Sequence, residues 1–428
     1  MTTWQTARQV LCVRLDNMGD VLMSTPAMQA LAESMPGRRL TLLTSHAAAA
    51  LAPHLPMVKR VLAWNAPWAR HDEAAPAAPG PAMLRCARWL GRYRFDAAVI
   101  FTVYSQSPLP AAMLCALAGI PLRLACCREN PYALLTDWVP EREPAMQPGQ
   151  RPRHEARRQL DLVAQVGAGT RDTRLRFRVL AADRAAFAAL AAHLAGWRSG
   201  RGGPLVVVHP GASAASRRWP AARFAEVARA LATQAGAHVL VTGADNERET
   251  VHAVCAGAHH ARVVPLAGAL TLGEMGALLE AADLLVSNNT GPVHLAAALG
   301  TPVVDLYALT NPQHTPWQVP HHTLFADVPC RYCYKSTCPQ GHHRCLEDVP
   351  AALAVQAALA LLAGDAQALP AHPLPWPGAA DAPLAGPATG AASAAVPVPA
   401  LAAARTVPAV PAADPPSPDE VAHVHPWH

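Results

Sequence analysis

Aromatic residues are scarce in this chain of 428 residues: Phe, Trp and Tyr together make up 5%, whereas hydrophobic residues make up 51%. Much of the apolar content is alanine, so we predict helices that pack closely through small side chains rather than around large rings. Charged residues are also few, at 15%, and the net charge is +5. This balance suits an anionic ligand or an anionic membrane surface, but it lacks the dense basic stripe of a nucleic-acid-binding protein.

Long hydrophobic runs are missing as well. The longest candidate, residues 111–127, contains Arg123 and a Gly-Ile-Pro break, which argues against a membrane-spanning helix of roughly 20 apolar residues. The N-terminal sequence has no basic segment followed by an apolar stretch and a small-residue cleavage site. We therefore expect a soluble, cytoplasmic protein, in which the ten cysteines are thiols or metal ligands rather than disulfides.

Short apolar, β-branched runs alternate with helical segments throughout the first 364 residues. This alternation is typical of β-α-β units and predicts parallel sheets. In the first half, the predicted strands are residues 10–15, 40–45, 96–102 and 122–127. In the second half, they are residues 205–211, 238–243, 283–288 and 302–307. Helices are predicted there at 220–234, after Asn246, within the sequence GPVHLAAALG and at 350–363. Stretches rich in Pro, Ala and Arg predict loops at 66–82 and 140–153.

Glycine and arginine interrupt the alternation at GWRSGRGGP, residues 196–204, which we interpret as an interdomain linker. The predicted organisation is two Rossmann-like α/β domains, 1–195 and 204–350, followed by a C-terminal helix at 351–363. The last 64 residues contain 14 prolines and a single arginine, Arg405. Such a composition cannot bury enough apolar surface to fold, so a disordered tail is predicted for residues 365–428.

Two segments in the second half suit a phosphate group. In VSNNTGPVHL, a strand runs into a turn where Asn289 or Thr290 can cap a helix and Gly291 permits close backbone approach. Its unpaired N–H groups would form an anion site, although an ordinary capped turn has the same sequence pattern. In HPGASAASRRWP, Arg217 and Arg218 are either diphosphate ligands or solvated surface arginines. Both segments follow predicted strands of one sheet, which favours a shared ligand.

A third segment, VRLDNMGDVLMSTPA, forms the first strand-to-helix turn of the first half. Gly19 permits a tight turn, and Asp20 lies where the helix begins. Its carboxylate is therefore an N-terminal helix cap, a general base facing the cleft between the domains, or both. Asp16 is the competing carboxylate.

These segments, LDNMGDVLMSTPA, HPGAS…RRWP and SNNTGPVHLAAALGTPVVDLYALTNP, resemble glycosyltransferase family 9, the ADP-heptose:lipopolysaccharide heptosyltransferases. The resemblance covers residues 10 to about 350. It implies the GT-B fold, an α/β architecture in which two Rossmann-like domains face each other across a cleft. In that fold the N-terminal domain mainly binds the acceptor and the C-terminal domain binds the sugar nucleotide.

The resemblance also implies roles for individual residues. Asp20 matches the catalytic aspartate that deprotonates the acceptor hydroxyl for an inverting displacement, and Asp16, Asn17 and Gly19 are acceptor-side candidates beside it. The remaining matches concern the donor. Arg218, with Arg217 adjacent, matches the basic residue that binds the diphosphate. Thr290, Gly291 and His294 match the phosphate turn, and Glu247 lies where a glutamate of the family contacts the ribose. The chain departs from the family at Asn289, where an aspartate is common; the amide can still cap the helix but carries no negative charge.

No D-x-D sequence occurs in the chain, so the usual carboxylate pattern of metal-dependent GT-A enzymes is missing. Arginines and a helix N-terminus can stabilise a departing diphosphate instead, which predicts catalysis without a metal or other cofactor. Separately, CRYCYKSTCPQGHHRC places four cysteines close together, with two, four and six residues between them. Such a set can complete a structural zinc site or remain as free thiols, and disulfides are disfavoured. The four are Cys330, Cys333, Cys338 and Cys345.

We therefore predict an inverting, metal-independent transferase that moves heptose from ADP-heptose to a lipopolysaccharide core or related glycan. The expected partners are a nucleotide-sugar donor and a lipid-linked glycan acceptor, with peripheral contact at the cytoplasmic face of the inner membrane and no nucleic acid. Two alternatives stay open: a family 9 transferase that uses another nucleotide sugar, and a GT-B protein that binds sugar nucleotides without turnover. Sugar-nucleotide epimerases share the architecture but lack the three segments.

Overall fold

The computed structural model describes residues 2–69, 79–141, 153–194 and 202–365. The predicted tail lies outside these ranges apart from its first residue. Residues 196–201 of the predicted linker, 70–78 of the first predicted loop and 142–152 of the second also lie outside them. In the described part of the chain, no helix combines the length and apolar composition that a membrane crossing requires.

The first half of the chain forms a six-stranded parallel sheet in the order β3-β2-β1-β4-β5-β6. Its strands are β1 (Gln9–Arg14), β2 (Arg39–Thr44), β3 (Val58–Ala63), β4 (Ala97–Ile100), β5 (Leu122–Cys127) and β6 (Asp137–Pro140). Its helices are α1 (Met18–Glu33), α2 (Pro79–Gly91), α3 (Leu109–Leu117), α4 (Glu155–Ala164) and α5 (Ala181–Ala192), with 3₁₀ turns at Ala47–His54 and Tyr132–Leu134.

The second half forms another six-stranded parallel sheet, in the order β12-β11-β10-β7-β8-β9. Its strands are β7 (Leu205–His209), β8 (His238–Gly243), β9 (Val263–Ala267), β10 (Leu284–Asn288), β11 (Val303–Leu306) and β12 (His321–Leu324). Its helices are α6 (Ala221–Gln234), α7 (Arg248–Ala258), α8 (Leu272–Ala281), α9 (Gly291–Leu299), α10 (Arg344–Glu347) and α11 (Ala351–Leu362), with 3₁₀ turns at Ala215–Arg217 and Asp245–Glu247.

Both sheets have the strand order of a Rossmann fold, since each, numbered from its own first strand, reads 3-2-1-4-5-6. The order reverses between β1 and β4 in the first sheet and between β7 and β10 in the second. Ligands of open α/β sheets bind beyond the carboxyl ends of the strands at these reversal points. The segments after β1, β7 and β10 are the three that the sequence analysis selected.

All eight predicted strands are present, and the four strands that were not predicted, β3, β6, β9 and β12, are the outer strands of the two sheets. Outer strands commonly carry charged residues or proline, which obscures the apolar pattern of a buried strand. Here β3 contains Lys59 and Arg60, β9 contains Pro265, and β12 begins with two histidines. The central strands are almost completely buried and therefore easy to predict.

Helices from the two halves pack directly against each other. Helix α1 contacts α9, and α5, which precedes the predicted linker, contacts α8 of the second half. One hydrophobic cluster includes Leu31 of α1, Phe177, Leu278 of α8 and Val293 of α9, all at most 8% exposed. This packing holds the reversal points of the two sheets close together.

Candidate functional site

The N-terminal ends of α1 and α9 meet between the two sheets. Gly19, in the first turn of α1, faces the imidazole of His294 so closely that a Cβ added at Gly19 would lie 2.7 Å from His294 Cδ2. A Cβ at Gly291 would lie 2.9 Å from Met18 Cε. These two close contacts bring the turn that carries Asp20 against the turn that starts α9, so the two turns share one site.

Asp20 lies at this junction with its side chain 13% exposed. Its Oδ2 accepts a hydrogen bond from the backbone N–H of Asn17 at 3.2 Å, so it caps the start of α1. Its Oδ1 lies 3.4 Å from Nη2 of Arg14, at the end of β1. Asp20 is therefore a helix cap, as predicted, and its second oxygen faces the guanidinium of Arg14.

Arg14 is completely buried and holds three carboxylates at once. Its Nε lies 3.0 Å from Asp16 Oδ2, its Nη2 reaches Asp20, and its Nη1 lies 3.1 Å from Oε1 of Glu155, in the first turn of α4. Glu155 is also fully buried and accepts a 2.6 Å hydrogen bond from Gln159 Nε2. Burial raises the pKa of Glu155, but Arg14 and Arg158 outweigh this effect and lower it, which keeps Glu155 ionised.

The two aspartates of the α1 turn have raised pKa values. Burial raises the pKa of Asp20, and the negative charge of Glu155 raises it further, whereas Arg14 and Arg217 oppose the shift. Burial raises the pKa of Asp16 to about 6, against the attraction of Arg14. A carboxylate with a raised pKa is a stronger base, so either group is better suited to accept a proton than an exposed aspartate.

The two neighbouring arginines of HPGASAASRRWP have different environments. Arg217 ends the 3₁₀ turn Ala215–Arg217, and its positive charge acts on the pKa values of Asp20, His294 and Asp305. Arg218 is exposed, and its Nε donates a 2.8 Å hydrogen bond to the carbonyl of Ala212. Arg217 is half-buried, so the two arginines differ in exposure, and which of them binds the diphosphate stays a prediction.

The turn before α9 offers unpaired donors. Thr290 precedes the helix in an extended conformation, and Pro292 occupies the first turn. Among the described residues, no acceptor reaches the backbone N–H groups of Thr290 and Gly291. Free amides at a helix N-terminus, with a guanidinium nearby, form an environment that suits a diphosphate.

Glu247 lies close to the segment HPGASAASRRWP, which carries Arg217 and Arg218. Its Oε2 accepts a 2.9 Å hydrogen bond from the N–H of Ala244, and its carboxylate lies against Gly211, where any Cβ would overlap it. His209 Nε2 lies 3.8 Å from Oε2 of Glu247. Glu247 therefore lies beyond the carboxyl ends of β7 and β8, next to the loop that presents Arg217.

His294 is 4% exposed and its Nδ1 has no hydrogen-bond partner among the described residues. Burial lowers its pKa well below 6.5, and the nearby His314, His154 and Arg217 lower it further. A neutral imidazole in this position can donate or accept a hydrogen bond without adding charge. His314 has a pKa lowered to about 3, mainly by burial.

A cavity of about 200 Å³ opens on the first-sheet side of the site. Asp16, Trp68, Phe101 and Gln106 contribute to its lining. Gln106 Nε2 donates a 2.7 Å hydrogen bond to Asp16 Oδ1, which fixes this carboxylate at the cavity wall. The cavity combines apolar and aromatic walls with a few polar groups, as ligand pockets commonly do.

The four clustered cysteines line a separate small cavity together with His342 and His343. Burial raises the pKa of Cys338, but backbone N–H groups of residues 340–343 hydrogen-bond to its sulfur and lower the pKa below 9.0 overall. Burial raises the pKa values of Cys330 and Cys345. Even so, no three His, Cys, Asp or Glu side chains in the described ranges are arranged to hold a metal ion.

Structural zinc in this segment therefore stays a prediction, because its ligand set is not formed here. If it is right, elemental analysis of purified protein will find about one zinc per chain, and C330S/C345S will reduce this to background. A C255S variant is a suitable control, since Cys255 lies on α7, outside the cluster. Free thiols are the correct alternative if the wild-type protein contains no zinc.

Sequence reasoning missed Arg14, Glu155, Asp305 and His314 as members of this site. Arg14 and Asp305 did leave a signal, because each is a charged residue inside an apolar strand, VLCVRL and PVVDLY. A charge in such a position is rarely buried unless it is paired. Glu155 gave no comparable signal, since it follows a predicted loop and its partners are distant in sequence.

Together, the fold and the site define a class of protein: two Rossmann-like domains that face each other at their ligand-binding ends, as in the GT-B architecture. The sequence profile of glycosyltransferase family 9 (heptosyltransferase) matches residues 83–343, more than half of the chain. The chain therefore belongs to glycosyltransferase family 9. Asp20 lies outside the matched range.

Individual relatives agree with this assignment. Lipopolysaccharide heptosyltransferase 1 of Pseudomonas aeruginosa is 34% identical over 138 residues, which cover 32% of this chain and 38% of the relative. The alignments with three heptosyltransferase relatives, this one included, span 35–52% of the relatives' own length.

Two solved structures share the fold across nearly their whole length. The family 9 glycosyl transferase from Veillonella parvula has a TM-score of 0.68 at 19% identity, covering 85% of this chain and 99% of that one. The Escherichia coli ADP-heptose lipopolysaccharide heptosyltransferase II has a TM-score of 0.64 at 20% identity, covering 83% of this chain and 99% of that one. At these identities the likeness shows the fold alone.

Proposed function

We propose that this protein transfers heptose from ADP-heptose to a lipopolysaccharide core or related glycan, with inversion at the anomeric carbon and without a catalytic metal. The observation that carries the proposal is the contact between Gly19 and His294, which brings the carboxylates of the α1 turn to the free amides of the α9 turn. Family membership and the names of the relatives support a heptose donor.

In the proposed reaction, a hydroxyl of the acceptor attacks the anomeric carbon of the donor sugar. The new bond joins the acceptor oxygen to that carbon, and the bond from the carbon to the β-phosphate oxygen breaks. Asp20 takes the hydroxyl proton, and ADP leaves with the bonding electron pair. One displacement of this kind inverts the anomeric configuration and needs no protein nucleophile.

The leaving diphosphate gains negative charge as the bond breaks. We expect Arg217 and the N–H groups of Thr290 and Gly291 to stabilise that charge without reorganisation during the reaction; the free amides at the start of α9 support this expectation. Glu247 is proposed to contact the ribose, as the family resemblance implies. Because fixed cations and amides serve this purpose, we expect turnover to continue in EDTA.

The acceptor is proposed to enter from the first-sheet side, through the cavity beside Asp16. Its aromatic and polar lining suits a sugar, and the net charge of +5 suits an acceptor carried on an anionic lipid surface. We therefore propose a peripheral position at the cytoplasmic face of the inner membrane. No nucleic acid is expected to bind.

The donor can be tested before the acceptor is known. We expect ADP-heptose to raise the unfolding temperature more than UDP- and GDP-sugars at equal concentration, because binding to the folded state alone stabilises it. Addition of a heptose-accepting core glycan should then release ADP, with and without EDTA. Protection by a UDP- or GDP-sugar instead would favour a different donor, to which the departure at Asn289 draws attention. Donor binding without ADP release from any core glycan would favour the non-catalytic alternative.

The two adjacent arginines provide a matched pair for testing the diphosphate site. R217A is expected to lower kcat/KM for the donor by about 100-fold, because a charge-assisted contact to phosphate is lost. R218A removes the same type of side chain from an exposed position, and we expect it to change kcat/KM for the donor less than about threefold. Steady-state kinetics with varied ADP-heptose measures both values. The reverse order would identify Arg218, the original match to the family, as the diphosphate ligand.

A further inference from the structure

Asn289 stands where family members commonly carry an aspartate, and its amide is held by two acceptors. Its Nδ2 donates to Asp305 Oδ2 at 3.0 Å and to the backbone carbonyl of His314 at 2.9 Å. An amide nitrogen has two protons, and both are used. An amide oxygen cannot donate a hydrogen bond, so the flipped orientation would place it against these two acceptors. The orientation of the Asn289 side chain is therefore fixed by its partners.

Asp305 is an unusual residue to find at this position. It lies in β11, opposite Ser287 of β10, and is completely buried between apolar neighbours. Its Oδ1 has no hydrogen-bond partner within the described residues, and burial raises its pKa well above the ordinary 3.8. A buried carboxyl group with one unpaired oxygen is costly to a fold, so the contact with Asn289 needs an explanation other than stability.

Fixing the amide leaves one group available, the Oδ1 oxygen of Asn289. No donor among the described residues reaches this atom, although the side chain is only 5% exposed and directly precedes the free amides of Thr290 and Gly291. An oxygen of this kind accepts hydrogen bonds and cannot donate them. It therefore cannot bind a phosphate oxygen, but it can bind a sugar hydroxyl.

We propose that Asp305 is a positioning residue for the donor: it holds the Asn289 amide so that Oδ1 accepts a hydrogen bond from a hydroxyl of the donor sugar. This inference rests on the proposed function, because it requires a nucleotide sugar in the site. It explains how the chain dispenses with the aspartate before Thr290. Asn289 presents a neutral acceptor at that position, and the carboxyl group is supplied by Asp305, on the neighbouring strand β11.

The test is a double-mutant cycle read by calorimetric binding of ADP-heptose and of ADP. D305L removes one of the two acceptors, so that only the carbonyl of His314 still holds the amide. The more weakly held side chain is expected to bind ADP-heptose about tenfold more weakly, the scale of one hydrogen bond. ADP has no donor sugar, so its affinity should change less than about twofold. D305N keeps an acceptor oxygen and should rescue ADP-heptose binding to within about threefold of wild type.

The decisive variant is N289D/D305L. A carboxylate at 289 presents an acceptor oxygen in either orientation, so the D305L loss should disappear in this background. Should D305L not fold, D305V provides a smaller β-branched side chain suited to a strand, and ADP binding reports whether either protein is intact. Equal weakening of ADP and ADP-heptose, no effect of D305L, or failure of N289D to rescue would each overturn the inference. Wild-type protein that does not bind ADP-heptose would instead overturn the proposed function itself.

Discussion

Replacement of Asp20 by asparagine is expected to lower kcat by a factor of about 10² to 10⁴, the usual contribution of a general base. Asparagine has nearly the same shape, and its side-chain oxygen can still accept the hydrogen bond from the N–H of Asn17 that caps α1. It cannot accept a proton from the acceptor hydroxyl. Donor affinity should therefore change little, and the loss should appear in single-turnover kinetics with saturating ADP-heptose.

Asp16 provides the control, because it contacts the same guanidinium and has a similar exposure, 11% against 13%. D16N is expected to reduce kcat less than about tenfold. If D16N abolishes turnover and D20N does not, the base is Asp16, the alternative that the sequence left open. Both variants keep the size of the side chain, and both replace one acceptor oxygen with an amide and lose the ion pair with Arg14. Because this cost is common to the two, the difference between them reports on proton transfer.

The pH dependence of the reaction follows from the same carboxylates. A general base works only when it is ionised, so kcat falls as the pH drops through its pKa. Because burial and Glu155 raise the pKa of Asp20, this loss should begin at a higher pH than for an ordinary aspartate. E155Q removes one of the two causes and is expected to move the acid limb of the profile to lower pH. The pH–rate profiles of E155Q and wild type measure this shift.

The sequence predicted those strands and turns whose pattern lies within a few consecutive residues. Strands such as β1 and β10 lie at sheet centres and are apolar throughout, so their periodicity predicted them. The edge strands β3 and β12 carry charges or histidines and were missed. Likewise, the turn that carries Asp20 and the turn at Thr290 were found because each is a short motif after a strand.

The network behind the motifs is not local, which is why the sequence did not predict it. Glu155 lies 141 residues from Arg14, and its backbone N–H donates to the carbonyl of Gln313, in the second half of the chain. Nothing near Glu155 in sequence indicates either partner. The adjacent arginines illustrate the same limit, because only the fold shows that Arg217 is half-buried while Arg218 is exposed and bonds to Ala212.

Arg14 is the residue whose loss should damage the fold most. In R14M, the carboxylates of Asp16, Asp20 and Glu155 lose their shared cation at a site with almost no access to water. Removal of one partner from a buried ionic network typically costs about 3–5 kcal/mol, and we expect that decrease in the free energy of unfolding. Urea denaturation, followed by circular dichroism, measures it. R39M, on the exposed first residue of β2, is the matched control and should change it by less than about 0.5 kcal/mol.

A second variant separates the charge effect from the loss of packing. R14M/E155M removes the buried anion together with the cation, and only the two partly exposed aspartates then remain unpaired. We expect this double variant to recover at least about 1 kcal/mol relative to R14M, since apolar replacement of a whole buried pair is often neutral. If R14M and R14M/E155M are equally unstable, Arg14 stabilises the fold by packing alone. In R14M the attraction that opposes burial is lost, so the pKa of Asp20 should rise further and any remaining activity should require a higher pH; in R14M/E155M the loss of the Glu155 charge opposes this rise.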